Sequence, residues 1–175
     1  MNLYVVRHAI AAPRGTPGIP DNDRKLTRDG ISKMKQVAAG LRSLGYVPDL
    51  ILSSPLVRAR QTAKILLQAF GKKIELRMVP ALAPGGVRRD LYREIVSLED
   101  RKVKNLMIVG HQPSLGEIAG EIAFGAAQSY IELKKGGFCA IELESMQGTP
   151  KGILVALLAP SILRNIKRKA PIARI

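Results

Sequence analysis

Three short, uninterrupted apolar runs, Leu3-Tyr4-Val5-Val6, Leu50-Ile51-Leu52 and Leu106-Met107-Ile108-Val109, constrain what this chain can fold into. A strand with one wet face alternates apolar and polar side chains, whereas a strand apolar at every position is covered on both faces. Between these runs the period changes to that of helices. Thr27 reads as an N-cap with Asp29 in the first turn, followed by Ile31, Met34, Val37, Ala38 and Leu41 on one face. Ser54 and Pro55 read as the cap and first residue of a second helix, with Leu56, Ala59, Ala63, Leu66, Leu67 and Phe70 inward. Leu91, Ile95 and Leu98 suggest a third helix, and a fourth begins near Pro113 with Leu115, Ile118, Ala119 and Ile122 inward. Phe138 to Leu143 and Ile153 to Leu158 read as late strands, adjacent in the sheet. This alternation predicts an α/β fold: a three-layer sandwich with a mostly parallel central sheet flanked by helices.

Two stretches fall outside both periods and are expected to be loops: residues 9–25, with Pro13, Gly15, Pro17, Gly18 and Pro20, and residues 79–87, with Pro80, Pro84, Gly85 and Gly86. With 175 residues and 46% hydrophobic content, the chain suffices for one domain, 1–175, and not for two. From about residue 160 it becomes a basic tail, with Arg164, Lys167, Arg168 and Lys169 among Ile162, Leu163 and Ile166. A solvated, partly packed tail is the expectation, and a basic amphipathic surface segment the alternative.

The first residues enter a strand directly, without the pattern of an export signal, and no apolar run is long enough to span a bilayer. Cys139 is the single cysteine, in an apolar strand, and is expected to be core. The cytoplasm is the expected compartment, and no membrane partner is expected. A formal charge of +14, from 28 Lys and Arg against 14 Asp and Glu, favours anionic ligands. Nucleic acid is disfavoured among them, because the chain has no Trp, 4% aromatic residues and neither zinc spacing nor an aromatic RNA-binding signature.

The chain has two histidines, and each follows one of the buried runs: His8 the first and His111 the third. Ligands of open α/β sheets bind outside the carboxyl ends of the strands, so both imidazoles are expected in one cleft. Ser53-Ser54 ends a further strand at the same rim and leads to Arg58 in the following helix, while Arg7 adjoins His8 and Arg24 closes the 9–25 loop. Guanidinium groups make paired, planar hydrogen bonds to phosphate oxygens, and their charge disfavours imidazolium. In-line attack by one ring nitrogen of His8 would form a phosphohistidine, with the other nitrogen donating to a backbone carbonyl to fix the tautomer. His111 would then hold an equatorial oxygen. From spacing alone, two structural histidines among solvated arginines stand level with this reading. Metal binding is weaker, since no close His or Cys ligand pattern exists. A serine hydrolase is weaker still, because Ser53 and Ser54 lie in no Gly-x-Ser-x-Gly elbow.

Four segments carry a resemblance that separates these readings. Val5-Val6-Arg7-His8-Ala9 resembles the Arg-His-Gly signature of the histidine phosphatase (phosphoglycerate mutase-like) superfamily, with Ala9 in place of the usual Gly. Arg24-Lys25-Leu26-Thr27-Arg28-Asp29-Gly30 is similar to the family's Arg-Pro-Leu-Thr-x-x-Gly. Ser54-Pro55-Leu56-Val57-Arg58-Ala59-Arg60-Gln61-Thr62-Ala63 is similar to Ser-Pro-x-x-Arg-Ala-x-Gln-Thr, and Gly110-His111-Gln112-Pro113 to the second-histidine motif. The resemblance implies a phosphoglycerate mutase-like fold, with Arg7, His8, Arg58 and His111 as the catalytic pocket and Arg24 as an additional phosphate or substrate contact. It implies no cofactor and no metal.

The small size and the Arg-x-Leu-Thr segment look most like the SixA-type phosphohistidine phosphatases, which act on histidine-phosphotransfer proteins of signalling phosphorelays. A phosphohistidine-bearing and acidic protein substrate is therefore expected. Larger family members carry a Glu acid after the third strand, whereas Pro80-Ala81-Leu82-Ala83-Pro84-Gly85-Gly86 offers no proton. A departing alkoxide needs an acid and a departing imidazole does not. The alternatives are a phosphatase of small phosphate monoesters on the same scaffold, with Asp21, Asp23 or Glu94 as a hidden acid, and a basic non-catalytic phosphoprotein-binding adaptor.

Overall fold

The computed structural model describes residues 1–71, 74–101, 103–126 and 128–166. Six strands, β1 (Asn2–Arg7), β2 (Leu50–Ser53), β3 (Glu75–Met78), β4 (Asn105–Gly110), β5 (Phe138–Ser145) and β6 (Lys151–Leu158), form one sheet in the order β3-β2-β4-β1-β5-β6. β3, β2, β4 and β1 run parallel, and β5 and β6 are added antiparallel at one side. The helices are α1 (Arg28–Ser43), α2 (Val57–Phe70), α3 (Arg88–Ser97), α4 (Ser114–Phe124) and the short α5 (Pro160–Arg164). The three-layer, mostly parallel expectation matches this architecture. No described helix is long and apolar enough to cross a membrane.

The apolar runs are continuous because successive side chains enter two different cores. Leu3, Val5, Leu106 and Ile108 pack with Leu91 and Ile95 of α3 and Leu115 and Ile118 of α4. Their neighbours Tyr4, Val6, Met107 and Val109 pack with Met34 and Val37 of α1 and Ala59 and Leu66 of α2 on the opposite face. Cys139 lies in the first of these cores, where burial pushes its thiol up to about 12 and keeps it unreactive.

α1 begins as expected: Thr27 Oγ1 accepts the Gly30 amide at 2.9 Å. Gly30 itself is required by a close approach, since a Cβ there would collide with the Ile10 carbonyl oxygen. The loop leaving the first strand is thereby clamped onto α1.

α2 differs from expectation. It starts at Val57 with Leu56 as N-cap and no side-chain cap, so Ser54 and Pro55 precede the helix. The Ser54 hydroxyl is engaged elsewhere, as described below. β3 has no counterpart in the sequence reading, because an edge strand reading Glu-Leu-Arg-Met has no apolar run; its residues are exposed or half-buried. The 79–87 segment holds a 3-10 turn, Pro80–Leu82, whose Leu82 is buried. In the tail, Leu163 is fully buried while Ile162 is exposed, which fits partial packing. Lys167, Arg168 and Lys169 lie outside the described residues.

Candidate active site

The ends of three adjacent parallel strands are locked to one another by main-chain hydrogen bonds. His8 N donates to Gly110 O at 3.0 Å and Ser54 N to Val109 O at 2.9 Å, which extends the sheet ladder past β1 and β2. Gly136 N donates to the Arg7 and His8 carbonyls at 3.1 and 3.2 Å. His8, Ser54 and His111 therefore sit on rigid backbone, and the two imidazole centroids are 5.0 Å apart.

His8 Nδ1 lies 2.8 Å from its neighbour's carbonyl, Ala9 O. A carbonyl can only accept, so Nδ1 carries the proton and the lone pair is on Nε2. Burial pushes the His8 pKa down to about 4, against the Ala9 hydrogen bond and with help from Arg58, Arg7 and Arg24. At neutral pH the imidazole is uncharged and its Nε2 can attack.

His111 Nε2 is 2.8 Å from Ser54 Oγ. That hydroxyl also accepts the Leu56 amide at 3.3 Å; in the tautomer where it donates its own proton to Nε2, the His111 proton resides on Nδ1. Burial, then His8 and Arg58, lower the His111 pKa to about 3. Its Nδ1 is buried without a protein partner, as are Arg7 Nε and Arg58 Nε. Buried N–H groups ordinarily have acceptors, and phosphoryl oxygens are acceptors of the kind that guanidinium and imidazole donors take.

The arginines converge with one unexpected member. Arg58 donates from Nη1 to Asp21 O at 2.7 Å and from Nη2 to Asp21 Oδ2 at 3.1 Å. Arg24 donates from Nε to Asp21 Oδ1 at 3.0 Å and from Nη1 to Ala12 O at 2.7 Å. Arg7 donates from Nη1 to Leu133 O at 2.7 Å. Burial opposes ionisation of Asp21, yet Arg58 and Arg24 hold its carboxyl below the ordinary range. Asp23 is exposed and Glu94 pairs with Arg77 at 3.4 Å, so Asp21 alone of the three sequence candidates faces the site arginines.

Further residues had no assigned part in the sequence reading. Thr62 Oγ1 accepts the Ala9 amide and donates to Arg58 O. Gln61 Oε1 accepts the Leu26 amide at 2.7 Å and fixes the chain just after Arg24. Gln112 braces the second-histidine turn by accepting from Gly116 N and donating to Ile131 O. For Gln61 and Thr62 the available signal was a polar residue in the helix that carries Arg58. Ala9, read as a substitution beside the nucleophile, is buried in the core shared with α1 and α2. Among the described residues no group of three or more His, Cys, Asp or Glu is placed to hold a metal ion.

The chain is similar to known proteins in sequence and in fold. The family model of the histidine phosphatase superfamily (branch 1) matches residues 3–83. An uncharacterized protein of Picosynechococcus is 42% identical over 145 residues, which cover 81% of this chain and 84% of that protein. The phosphohistidine phosphatase SixA homolog of Haemophilus influenzae is 32% identical over 133 residues, covering 70% of this chain and 77% of its own. The protein histidine phosphatase SixA complexed with tungstate has the same fold, with a TM-score of 0.78 at 21% identity over 92% of this chain and 98% of the other. The chain belongs to the histidine phosphatase superfamily, as an enzyme of its SixA type and a phosphatase.

Proposed function

We propose that this phosphatase removes the phosphoryl group from phosphohistidine on an acidic signalling protein such as a histidine-phosphotransfer domain, through a phosphohistidine on His8. The observation that carries this reading is the combination of a free Nε2 on His8 with a Pro80–Leu82 turn that has no acid. Nε2 attacks phosphorus in line, the substrate's phosphorus–nitrogen bond breaks, and the substrate imidazole departs neutral from the form in which solvent has protonated its other ring nitrogen. Water then attacks the phosphorylated His8. Its phosphorus–nitrogen bond breaks, dihydrogen phosphate forms and sheds a proton to solvent, and His8 leaves as neutral imidazole with Nδ1 still donating to Ala9 O. Both departing groups are imidazoles, so neither step requires a separate acid.

Arg7 and Arg58 grip the transferring group, Arg24 is an additional contact, and His111 donates from Nδ1 to an equatorial oxygen as charge spreads in the transition state. The phosphate-ester reading needs a carboxylic acid, and the carboxyl facing these arginines, Asp21, is held ionised. A non-catalytic adaptor would need the arginines but not a neutral, tautomer-fixed imidazole among them.

Turnover of a phosphohistidine protein against a panel of alkyl and aryl phosphate monoesters tests the proposal. The phosphoprotein should be preferred, aryl esters should follow in order of increasing leaving-group basicity, and alkyl esters should be poor. Equal turnover of alkyl esters would replace this reading with the small-ester one.

A further inference from the structure

Asp21 occupies the position of an anion. Its Oδ2 accepts from Arg58 and its Oδ1 from both Arg24 and Arg14, at 3.1, 3.0 and 3.3 Å, while its carbonyl takes the second Arg58 donor. The Arg58 side chain is 2% exposed and that of Arg24 10%, whereas Asp21 is 38% exposed. The carboxylate thus lies on the solvent side of two buried guanidinium groups, between them and the exposed Arg14. It belongs to a 3-10 turn, Asp21–Asp23, in the 9–25 loop and takes part in no strand pairing.

We propose that Asp21 is a specificity-determining residue: a tethered carboxylate that fills the arginine cluster in the free enzyme and competes with the incoming phosphoryl group for the same donors. Buried guanidinium groups without a counter-charge are costly, and at Arg58 the neighbouring Arg24 adds to the cost of burial. Asp21 relieves that repulsion when no substrate is bound. When a dianion arrives, the carboxylate becomes a like charge on shared donors and is displaced toward solvent.

A small phosphate held only by the arginines meets this competition in full. A phosphoryl group on a protein draws on contacts across the protein surface to offset it. Discrimination against free phosphate and small phosphorylated molecules then arises from a movable internal anion, and the return of Asp21 helps to expel the phosphate product.

The inference rests on the phosphoryl-site reading above. Calorimetric titration of inorganic phosphate into wild type, Asp21→Asn and Asp21→Glu separates the two. Asp21→Asn should bind phosphate about tenfold more tightly, and Asp21→Glu, which keeps the charge, within about twofold of wild type. With an aryl phosphate, Asp21→Asn should lower KM and deepen product inhibition by phosphate. A carboxylate that merely positions the arginines predicts the reverse, with weaker phosphate binding and higher KM. Equal or weaker phosphate binding by Asp21→Asn therefore overturns the inference, and no binding by any of the three proteins overturns the phosphoryl site itself. Should Asp21→Asn fail to fold, Asp21→Ser purified with phosphate and then dialysed serves the same comparison.

Discussion

The amide of Ala9 donates to Thr62 Oγ1 at 3.0 Å, and the same hydroxyl donates to the Arg58 carbonyl at 2.8 Å. One fully buried side chain thereby ties the residue after His8 to the turn of α2 that carries Arg58. Thr62→Val keeps the shape and removes the hydroxyl, leaving the Ala9 N–H buried without an acceptor. Stability should fall by about 1–3 kcal/mol in urea unfolding, and kcat/KM should fall with it as His8 and Arg58 lose their common anchor. Thr62→Ser should recover most of both. A Thr62→Val protein as stable and active as wild type would remove the link from the account.

Replacing the proposed nucleophile gives a sharper outcome. His8→Ala should abolish turnover and leave the far-ultraviolet circular dichroism unchanged, because no second nitrogen is placed to attack. Rapid quenching of the wild type should trap an acid-labile, base-stable phosphate at His8. Trapping it on another residue sinks the assignment.

Arg58→Lys retains charge and loses the fork that a guanidinium presents to phosphate. Activity on any substrate should drop by about a hundredfold or more, through both kcat and KM, since the site would lose paired hydrogen bonds worth roughly 3 kcal/mol. Near-normal rates would mean that Arg58 supplies charge alone.

The two imidazoles also make stability depend on pH. His8 is held near 4 and His111 near 3, against 6.5 in the unfolded chain. Above pH 6.5 both states are neutral at these positions and the contribution is fully present. As pH falls from 6.5 toward 4, the unfolded chain takes up protons that the native site resists, and His8 alone forfeits about 3 kcal/mol. The urea midpoint should therefore decline between pH 7 and 4.5, less steeply in His8→Asn. Parallel declines for the two proteins would place the proton uptake elsewhere.

Much of this site can be read from sequence, because strand ends place side chains where the backbone dictates. Apolar runs located β1, β2 and β4, and the histidines that follow two of them had to meet at one edge of the sheet. Arg58 was legible because the residues around it match the family pattern. Ser54 was misread as a helix cap because a Ser-Pro pair before an apolar helix fits that pattern as well as it fits a histidine-holding hydroxyl. β3 was illegible because its packing is one-sided and irregular. Asp21 looked no different from Asp23 in a loop rich in Pro and Gly, and only the folded chain distinguishes the acid that meets the arginines from the one that meets water.

Arg7 pairs with Gly110 in the register of β1 and β4, so the two histidines extend from neighbouring parallel strands. Their 5.0 Å ring spacing is close to the roughly 4.8 Å that separates hydrogen-bonded strands in any sheet. The spacing of the two histidines is thus inherited from the pleated backbone, whereas Asp21 and the Pro80–Leu82 turn belong to connections outside it. In evolutionary terms the two parts can change at different rates. On the reading proposed above, rewriting those connections exchanges one phosphorylated target for another without having to reinvent the chemistry.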